Sequence, residues 1–468
     1  MQRQRTGNTR RSGPRLLNAA RQRRAAFQDA WRSRLWPTPT LGVVLAIAAG
    51  LGIPELDSAL DQQIPSRLAD YIFGGGANAA QEVLGAVATS LITVTSLTFS
   101  LTLVTLQLAS SQYTPRLLRT FAADRFVQRT LALFLATFVY AVTVLRTVRG
   151  GSDGGAEFVP QIAVTVAYLL AMSSVLALIL FLGHLVRQIR IETMFEQVCA
   201  DIKSTTHRLL DRIEDRREHD FTPTPPDDAP LVTAPASGFI VQIDAQALVE
   251  AAVEADVVIW VDRAVGSDVV EGIPVAMVWP ADPAAGVLDD ERLASVRERI
   301  ASAIKTGIER TATQDIGYGL RQLTDVVVRA LSPGVNDPTT AVHGLNSCSA
   351  ILCDLAGYRL GRCTLRDADN SPRVVMARPD LPDLLDLVIV QPQIYGSSDP
   401  VVLARLLSML RELAWVVVLT SHRRAIADRL RQLETATAEL ALAEPDRQQL
   451  ATLTNQVREA LDRRWSPS

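Results

Sequence analysis

Four long apolar stretches in the first 190 residues dominate the hydrophobic pattern of the chain. They cover residues 36–56, 79–108, 130–148 and 159–185. A helix needs roughly 20 apolar residues to cross a bilayer, and each stretch comes close to that length or exceeds it. The apolar centres of the last two contain no acidic or basic residue. The pattern predicts about four transmembrane helices.

The second stretch is unusual because Ser, Thr or Gln occupies almost every second position in SLTFSLTLVTLQL, residues 96–108. At about 100° per residue these side chains form two stripes on nearly opposite sides of a helix. The first stripe contains Thr95, Thr98, Thr102 and Thr105, and the second contains Thr93, Ser96, Ser100, Gln107 and Ser111. The helix therefore has two polar faces.

Two interpretations of these stripes remain open. In the first, small hydroxyl residues only let helices pack closely, with hydroxyls bonded to the i−4 carbonyl or to a neighbour. In the second, one stripe packs on the third and fourth spans while the other faces a partner subunit around an aqueous path. Four spans rarely enclose a path alone, so the second interpretation requires a homo-oligomer. The residues expected to line a pore or pack helices are Thr95, Thr98, Ser100, Thr102, Thr105 and Gln107.

Charge predicts the orientation of the spans. Residues 1–34 contain ten arginines and one acid, Asp29. The loop after the second span is also rich in arginine, and arginine-rich flanks stay in the cytoplasm. We expect a multi-pass protein of the bacterial inner membrane with both termini cytoplasmic. Its expected partners are the lipid bilayer, further copies of itself and anionic lipid at the arginine-rich arm, with no nucleic acid.

The region after the fourth span changes character several times. The fourth span runs on into a helix predicted from Arg190 to about Arg217, followed by the proline-rich linker FTPTPPDDAP. Short β runs then predict a small β-barrel or sandwich over 231–285, with one helix at 245–255. The absence of lysine from this segment excludes a lipoyl or biotinyl carrier. The remainder, 290–468, is predicted to be helical.

Within that helical part, the segment RTATQDIGYGLRQLTDVVVRALSPGVNDPTTA predicts two helices joined by SPGVNDP. Pro333 and Gly334 end the first helix, and Asp337 caps the second, which has Pro338 in its first turn. Asp315, with Arg310 or Arg321, either forms a buried ion pair that orients the helices or belongs to a ligand pocket. The candidate residues of this cytosolic motif are Arg310, Gln314, Asp315, Arg321, Asn336 and Asp337.

Together these two motifs resemble a bacterial family of predicted inner-membrane proteins, the domain of unknown function numbered twenty-two fifty-four. The resemblance rests on SLTFSLTLVTLQLASSQYTPRLLRTF and on the RTATQDIGYGLRQ segment, and covers about residues 35–440. It implies a multispan membrane protein with a cytosolic tail. It brings no reaction, substrate or catalytic residue.

The predicted fold class is an α-helical multispan membrane domain followed by a cytosolic α+β region, with a small β-barrel or sandwich and a helical C-terminal part. The expected divisions are an arm (1–34), a transmembrane domain (35–190), a connecting helix (191–220), the β domain (231–285) and a helical domain (290–468).

Two functions remain open: an oligomeric channel assembled or gated by its cytosolic domain, and a membrane-anchored sensor or scaffold without transport. The apolar centres of the membrane spans contain no ionisable residue, which argues against a coupled transporter. Enzyme motifs such as H-E-x-x-H and G-x-S-x-G are absent, so no catalytic residue is expected. The four cysteines and five histidines have no metal-ligand spacing, so no metal and no cofactor are expected.

Overall fold

A computed structural model describes residues 36–60, 73–112, 124–150, 158–188, 190–213, 222–282, 284, 286 and 288–466. The arginine-rich arm, Ser111's side chain and most of the loop after the second span lie outside these ranges. The chain divides into two compact units, Met1–Arg190 and Ile191–Ser468, called here the membrane unit and the soluble unit.

The membrane unit contains four described helices: α1 (Pro37–Leu60), α2 (Ala77–Gln112), α3 (Arg125–Leu145) and α4 (Gln161–Gln188). Within the described residues, each is long and apolar enough to cross a membrane. The helix α3 packs against the other three. In its apolar, membrane-length segment 56% of the residues are buried, compared with 17–22% in the corresponding segments of the other helices. The third span is therefore the centre of this unit.

Polar side chains tie the ends of these helices together. The Asp124 carboxylate caps α3 by accepting from the Phe126 amide at 2.7 Å, and it lies 2.6 Å from Nε2 of His184 on α4. On α1, the buried carboxylate of Asp57 accepts from the Ile162 amide in the first turn of α4 at 2.9 Å. Each carboxylate thus satisfies amides that a helix start leaves unpaired.

The soluble unit begins with α5 (Ile191–Leu209) and alternates strands and helices before ending in helices. Its strands are β1 (Leu231–Thr233), β2 (Gly238–Ile243), β3 (Val257–Val261), β4 (Asp268–Val269), β5 (Pro274–Pro280), β6 (Ile304–Gly307), β7 (Cys363–Arg366) and β8 (Pro372–Met376). Its further helices are α6 (Ala245–Glu254), α7 (Asp290–Ala303), α8 (Ile316–Ala330), α9 (Pro338–Leu355), α10 (Leu381–Tyr395), α11 (Pro400–Val416), α12 (Thr420–Ala438) and α13 (Glu444–Leu461).

The strands form two sheets within a mixed α/β arrangement, and the described residues show no barrel. One sheet has the order β1-β5-β3-β8-β7, with β3 and β8 parallel, and the other has the order β4-β2-β6. Strands β6, β7 and β8 come from the region predicted to be helical. Sequence pattern missed them because all three are short and because β6 and β8 pair with distant strands, as in the pairing of Ile259 with Val374.

The helix after the fourth span is shorter than predicted and separate from it. The helix α4 ends at Gln188, α5 starts at Ile191, and α5 ends at Leu209 rather than near Arg217. The buried face of α5 packs on α8 and α9, and the chain beyond it bridges backbone to backbone from Arg212 to Tyr358. The apolar spacing that predicted a link therefore serves the soluble unit's own core.

Candidate functional site

The buried side of α2 follows a seven-residue repeat. Its buried positions are Ala77, Ala80, Leu84, Ala88, Leu91, Thr95, Thr98 and Thr105. Spacings of three and four residues keep one face of a helix against its neighbours, here α3 and α4. The first predicted stripe of threonines is thus the C-terminal half of a packing seam, with Thr102 half-buried beside it.

Most hydroxyls of this seam bond within their own helix. Oγ1 of Thr95 donates to the Leu91 carbonyl at 2.6 Å, and those of Thr102 and Thr105 donate to the Thr98 and Leu101 carbonyls at 2.8 Å. The fully buried Oγ1 of Thr98 has no partner among the described residues. The seam therefore fits the packing interpretation of this stripe.

The second stripe lies on the opposite, exposed side of α2. Seven exposed polar residues share this side, namely Asn78, Glu82, Thr89, Thr93, Ser96, Ser100 and Gln107, whereas the exposed Gln81 and Ser90 lie outside it. At about 100° per residue these seven fall within a sector of about 60°, opposite the packing seam. This exposed stripe, as we name it, extends along the helix and is flanked by exposed apolar residues such as Leu97 and Phe99.

A groove lies beside the exposed stripe, between α1, α2 and α3. Its volume is about 690 Å³, and its walls are largely apolar, with Trp36, Val44, Phe99 and Leu135 among them. The hydroxyl residues Thr95, Ser96, Thr102 and Thr105 also line it. No sequence pattern indicated this groove, because it forms only where α1 and α2 pack on α3 with a gap between them.

In the soluble unit, the cytosolic motif residues mainly fix the segment that leads into α8. The Gln314 side chain makes two hydrogen bonds with the backbone of Ile243, accepting from its amide at 2.9 Å and donating to its carbonyl at 3.3 Å. The segment's carbonyls also accept bonds from α5, one of them from Thr205 to Ala312 at 3.1 Å. Gln314 thus attaches the start of α8 to β2.

Asp315 is buried and pairs with Arg310. Both Nε and Nη2 of Arg310 donate to Oδ2 of Asp315, at 2.8 and 2.7 Å. Burial raises the pKa of Asp315, and the charge and hydrogen bonds of Arg310 oppose that rise. Of the two predicted partners, Arg310 is therefore the one in contact. In the described part of the chain, Arg321 is half-buried and forms no ion pair.

The connection between α8 and α9 matches its sequence signals. Asn336 adopts a left-handed conformation with φ of 50°, as asparagine readily does. The Asp337 carboxylate caps α9 by accepting from the Thr340 amide at 3.0 Å and from its hydroxyl at 2.6 Å. These bonds from Thr340 lower the pKa of Asp337. Both residues therefore have local structural roles.

A polar pocket of about 480 Å³ lies beside the Arg310–Asp315 pair. Four arginines line it, each from a different segment: Arg263, Arg310, Arg362 and Arg378. The aspartates in its lining are Asp262, Asp380 and Asp383. Sequence reasoning found only Arg310, since no local pattern shows that these segments meet. We name this cavity the arginine pocket.

Comparison with known proteins gives a family but no activity. A family model described as "Predicted membrane protein (DUF2254)" matches residues 32–412. The chain is 33% identical over 446 residues to uncharacterized proteins of Mycobacterium tuberculosis and Mycobacterium bovis, covering 94% of this chain and 83% of each relative. No solved structure matches it significantly.

The match extends through both units, from the start of the membrane helices to α11. It covers the exposed stripe, the cytosolic motif and the arginine pocket. The resemblance inferred from the two motifs is confirmed. The chain belongs to the DUF2254 family of predicted membrane proteins.

Proposed function

We propose that the protein is a homo-oligomeric, non-enzymatic channel of the bacterial inner membrane, in which α2 lines an aqueous path shared between subunits. The observation that carries this proposal is the exposed stripe of α2. Its hydroxyl and amide groups face away from the bundle, where a lone protomer would present them to acyl chains.

Hydrocarbon is a poor environment for such groups. A hydroxyl or amide without a partner costs roughly 2–7 kcal/mol when it moves from water to an apolar medium. Thr93 offsets part of this cost by donating to the Thr89 carbonyl at 3.0 Å, but no such bond is found for Ser96, Ser100 or Gln107 in the described structure. Water or a neighbouring subunit against this side would remove the cost.

The chemistry of the stripe supports passive permeation. Between Thr89 and Gln107 it presents hydroxyls and an amide but no charge. Such walls interact with a hydrated ion or small solute without binding it tightly, and conduction requires weak binding. Coupled transport normally uses a carboxylate, lysine or histidine within the spans.

Charge supports an orientation with both termini in the cytoplasm. The arginine-rich arm precedes α1, while Arg125 and Arg129 flank the start of α3 and Arg187 the end of α4. Arginine-rich flanks remain cytoplasmic. The soluble unit then lies in the cytoplasm, where it would assemble or gate the channel.

Flux through liposomes tests the proposal. We expect the purified protein to leak ions or small solutes, and the double variant Ser96→Leu/Ser100→Leu to change that flux by tenfold or more. The matched control is Ser173→Leu, since Ser173 is an exposed serine on α4 that bonds its own helix at Leu169. Silent liposomes under every salt and voltage tested would reject the channel and favour a scaffold.

Crosslinking tests the oligomer separately. Cysteine introduced at Ser100 should form disulfide-linked dimers in membranes, whereas cysteine at Ser173 should not. The native cysteines Cys199, Cys348, Cys353 and Cys363 are free thiols in the soluble unit, so the same experiment without an added cysteine gives the background. A strict monomer would leave no shared path.

A further inference from the structure

The arginine pocket brings together more guanidinium groups than its ion pairs use. Its four arginines come from the β3–β4 loop, the segment before α8, the residue before β7 and the segment after β8. Like charges from four segments repel one another unless anions lie between them. The pattern of pairing shows which guanidinium groups keep donors for a ligand.

Two of the arginines are each held in place by one carboxylate. Arg310 is bound by Asp315, and the guanidinium of Arg362 donates to Asp262 at 3.1 Å while lying 4.3 Å from the centre of the Trp260 ring. A guanidinium has five N–H donors, so each of these keeps donors for a further acceptor. A group held in this way loses little entropy when it binds a ligand.

The other two arginines are weakly compensated. Arg263 has Asp262 as its nearest carboxylate, at 3.9 Å, and shares it with Arg362. For Arg378, which is half-buried, the described residues contain no ion pair. These two guanidinium groups are therefore suited to a ligand group with more than one negative charge.

Two of the three lining aspartates, Asp380 and Asp383, lie at the start of α10. The amide of Asp383 donates to Oδ1 of Asp380 at 3.0 Å, and the amide of Asp380 donates to Oδ2 of Asp383 at 3.1 Å. Within the described structure, this capping box uses one oxygen of each carboxylate. The remaining oxygens are acceptors suited to hydroxyl groups.

We propose that the arginine pocket binds a small phosphorylated polyol, a sugar phosphate or a mononucleotide. The phosphate lies among Arg263, Arg310, Arg362 and Arg378, and sugar hydroxyls donate to Asp380 and Asp383. The volume of about 480 Å³ is that of a small-molecule site. This site is independent of the permeation proposal, because every residue that forms it belongs to the soluble unit.

Calorimetric titration of the full-length protein in detergent tests the site. The probes are ribose 5-phosphate, glucose 6-phosphate and AMP, with ribose and inorganic phosphate as comparators. At least one phosphorylated sugar should bind saturably and at least about tenfold more tightly than either comparator, since charge-assisted bonds at both parts of the pocket are needed.

Variants locate the binding. Arg378→Ala should weaken it by at least about tenfold, and Arg263→Ala, on an exposed loop, provides a second test should the first variant unfold. The matched control is Arg359→Ala, an exposed arginine three positions before Arg362 and outside the pocket. It should leave affinity unchanged.

Three results would overturn the proposal. Failure of all three phosphorylated probes to bind rejects the site. Equal affinity for inorganic phosphate rejects the role of Asp380 and Asp383. Binding only to phosphatidylglycerol in nanodiscs, with the same dependence on Arg378, assigns the phosphate to a lipid head group instead of a soluble molecule.

Discussion

A Cβ atom on Gly266 would lie 2.1 Å from Oδ2 of Asp315, the oxygen that binds Arg310. Gly266 also has φ of 92°, a conformation that glycine adopts without strain. The β3–β4 loop therefore covers the buried ion pair closely, and two separate constraints require glycine at this position.

Gly266→Ala should destabilise the protein by about 2–4 kcal/mol, because it adds backbone strain and forces the ion pair to move. Gly272→Ala is the matched control. Gly272 has φ of 82°, but a Cβ there would meet no neighbouring atom within 4 Å, which leaves strain alone at about 1 kcal/mol. Thermal unfolding followed by tryptophan fluorescence would measure both. Equal losses would show that the ion pair tolerates displacement.

A second close approach joins α5 to α8. A Cβ on Gly319 would lie 2.3 Å from Cγ1 of Ile202, so Gly319→Ala should cost about 1–3 kcal/mol by overpacking. Ile202→Ala should cost about 2–5 kcal/mol by leaving a cavity. The double variant should lose at least about 1 kcal/mol less than the sum, because the shortened side chain makes room for the new methyl. Additive losses in thermal unfolding would contradict this packing.

How well the sequence predicted each feature depends on how local its cause is. Asp337 and Pro338 act within one turn of α9, and the sequence predicted both roles correctly. Strand β8 depends on pairing with β3, more than a hundred residues earlier, and the prediction was wrong there. The arginine pocket depends on four segments meeting, which no local pattern encodes.

The α2 helix is an intermediate case. The helical spacing of its polar residues correctly predicted two polar stripes, but that spacing alone does not show which stripe faces the bundle. The neighbours decide that, because α3 and α4 bury the threonines at 95, 98 and 105 and leave Ser96 and Ser100 exposed. Gly319 lies within a motif that the sequence makes visible, but its contact with Ile202 arises only when two helices pack.

The pH dependence of Asp337 has a defined sign. Hydrogen bonds from Thr340 lower the pKa of Asp337 below the ordinary aspartate value of 3.8. Its carboxylate thus contributes stability that is present above that value and is lost as pH falls through the lower pKa of the folded state. Asp337→Asn keeps an acceptor for the cap but does not titrate.

The difference in melting temperature between the wild type and Asp337→Asn should therefore shrink as pH falls from about 6 to about 3. Thermal unfolding at low salt over this range would measure it. Acid effects on Asp315 and other carboxyls occur in both proteins and cancel in the difference. A difference that stays constant or grows toward low pH would contradict the assigned cap.

Within the described residues the Thr98 hydroxyl has no hydrogen-bond partner, and replacing it distinguishes a packing role from a permeation role. Thr98→Val replaces a buried hydroxyl with a methyl of similar shape, so it should stabilise the membrane unit by up to about 1 kcal/mol. Thr95→Val is the control, because it also loses a 2.6 Å bond to the Leu91 carbonyl and should gain less. Melting temperatures in detergent would measure both.

Thr98→Val should also leave liposome flux unchanged, since Thr98 belongs to the packing seam and not to the exposed stripe. Flux lost in Thr98→Val but kept in Ser96→Leu/Ser100→Leu would mean that the buried stripe, and not the exposed one, lines the path.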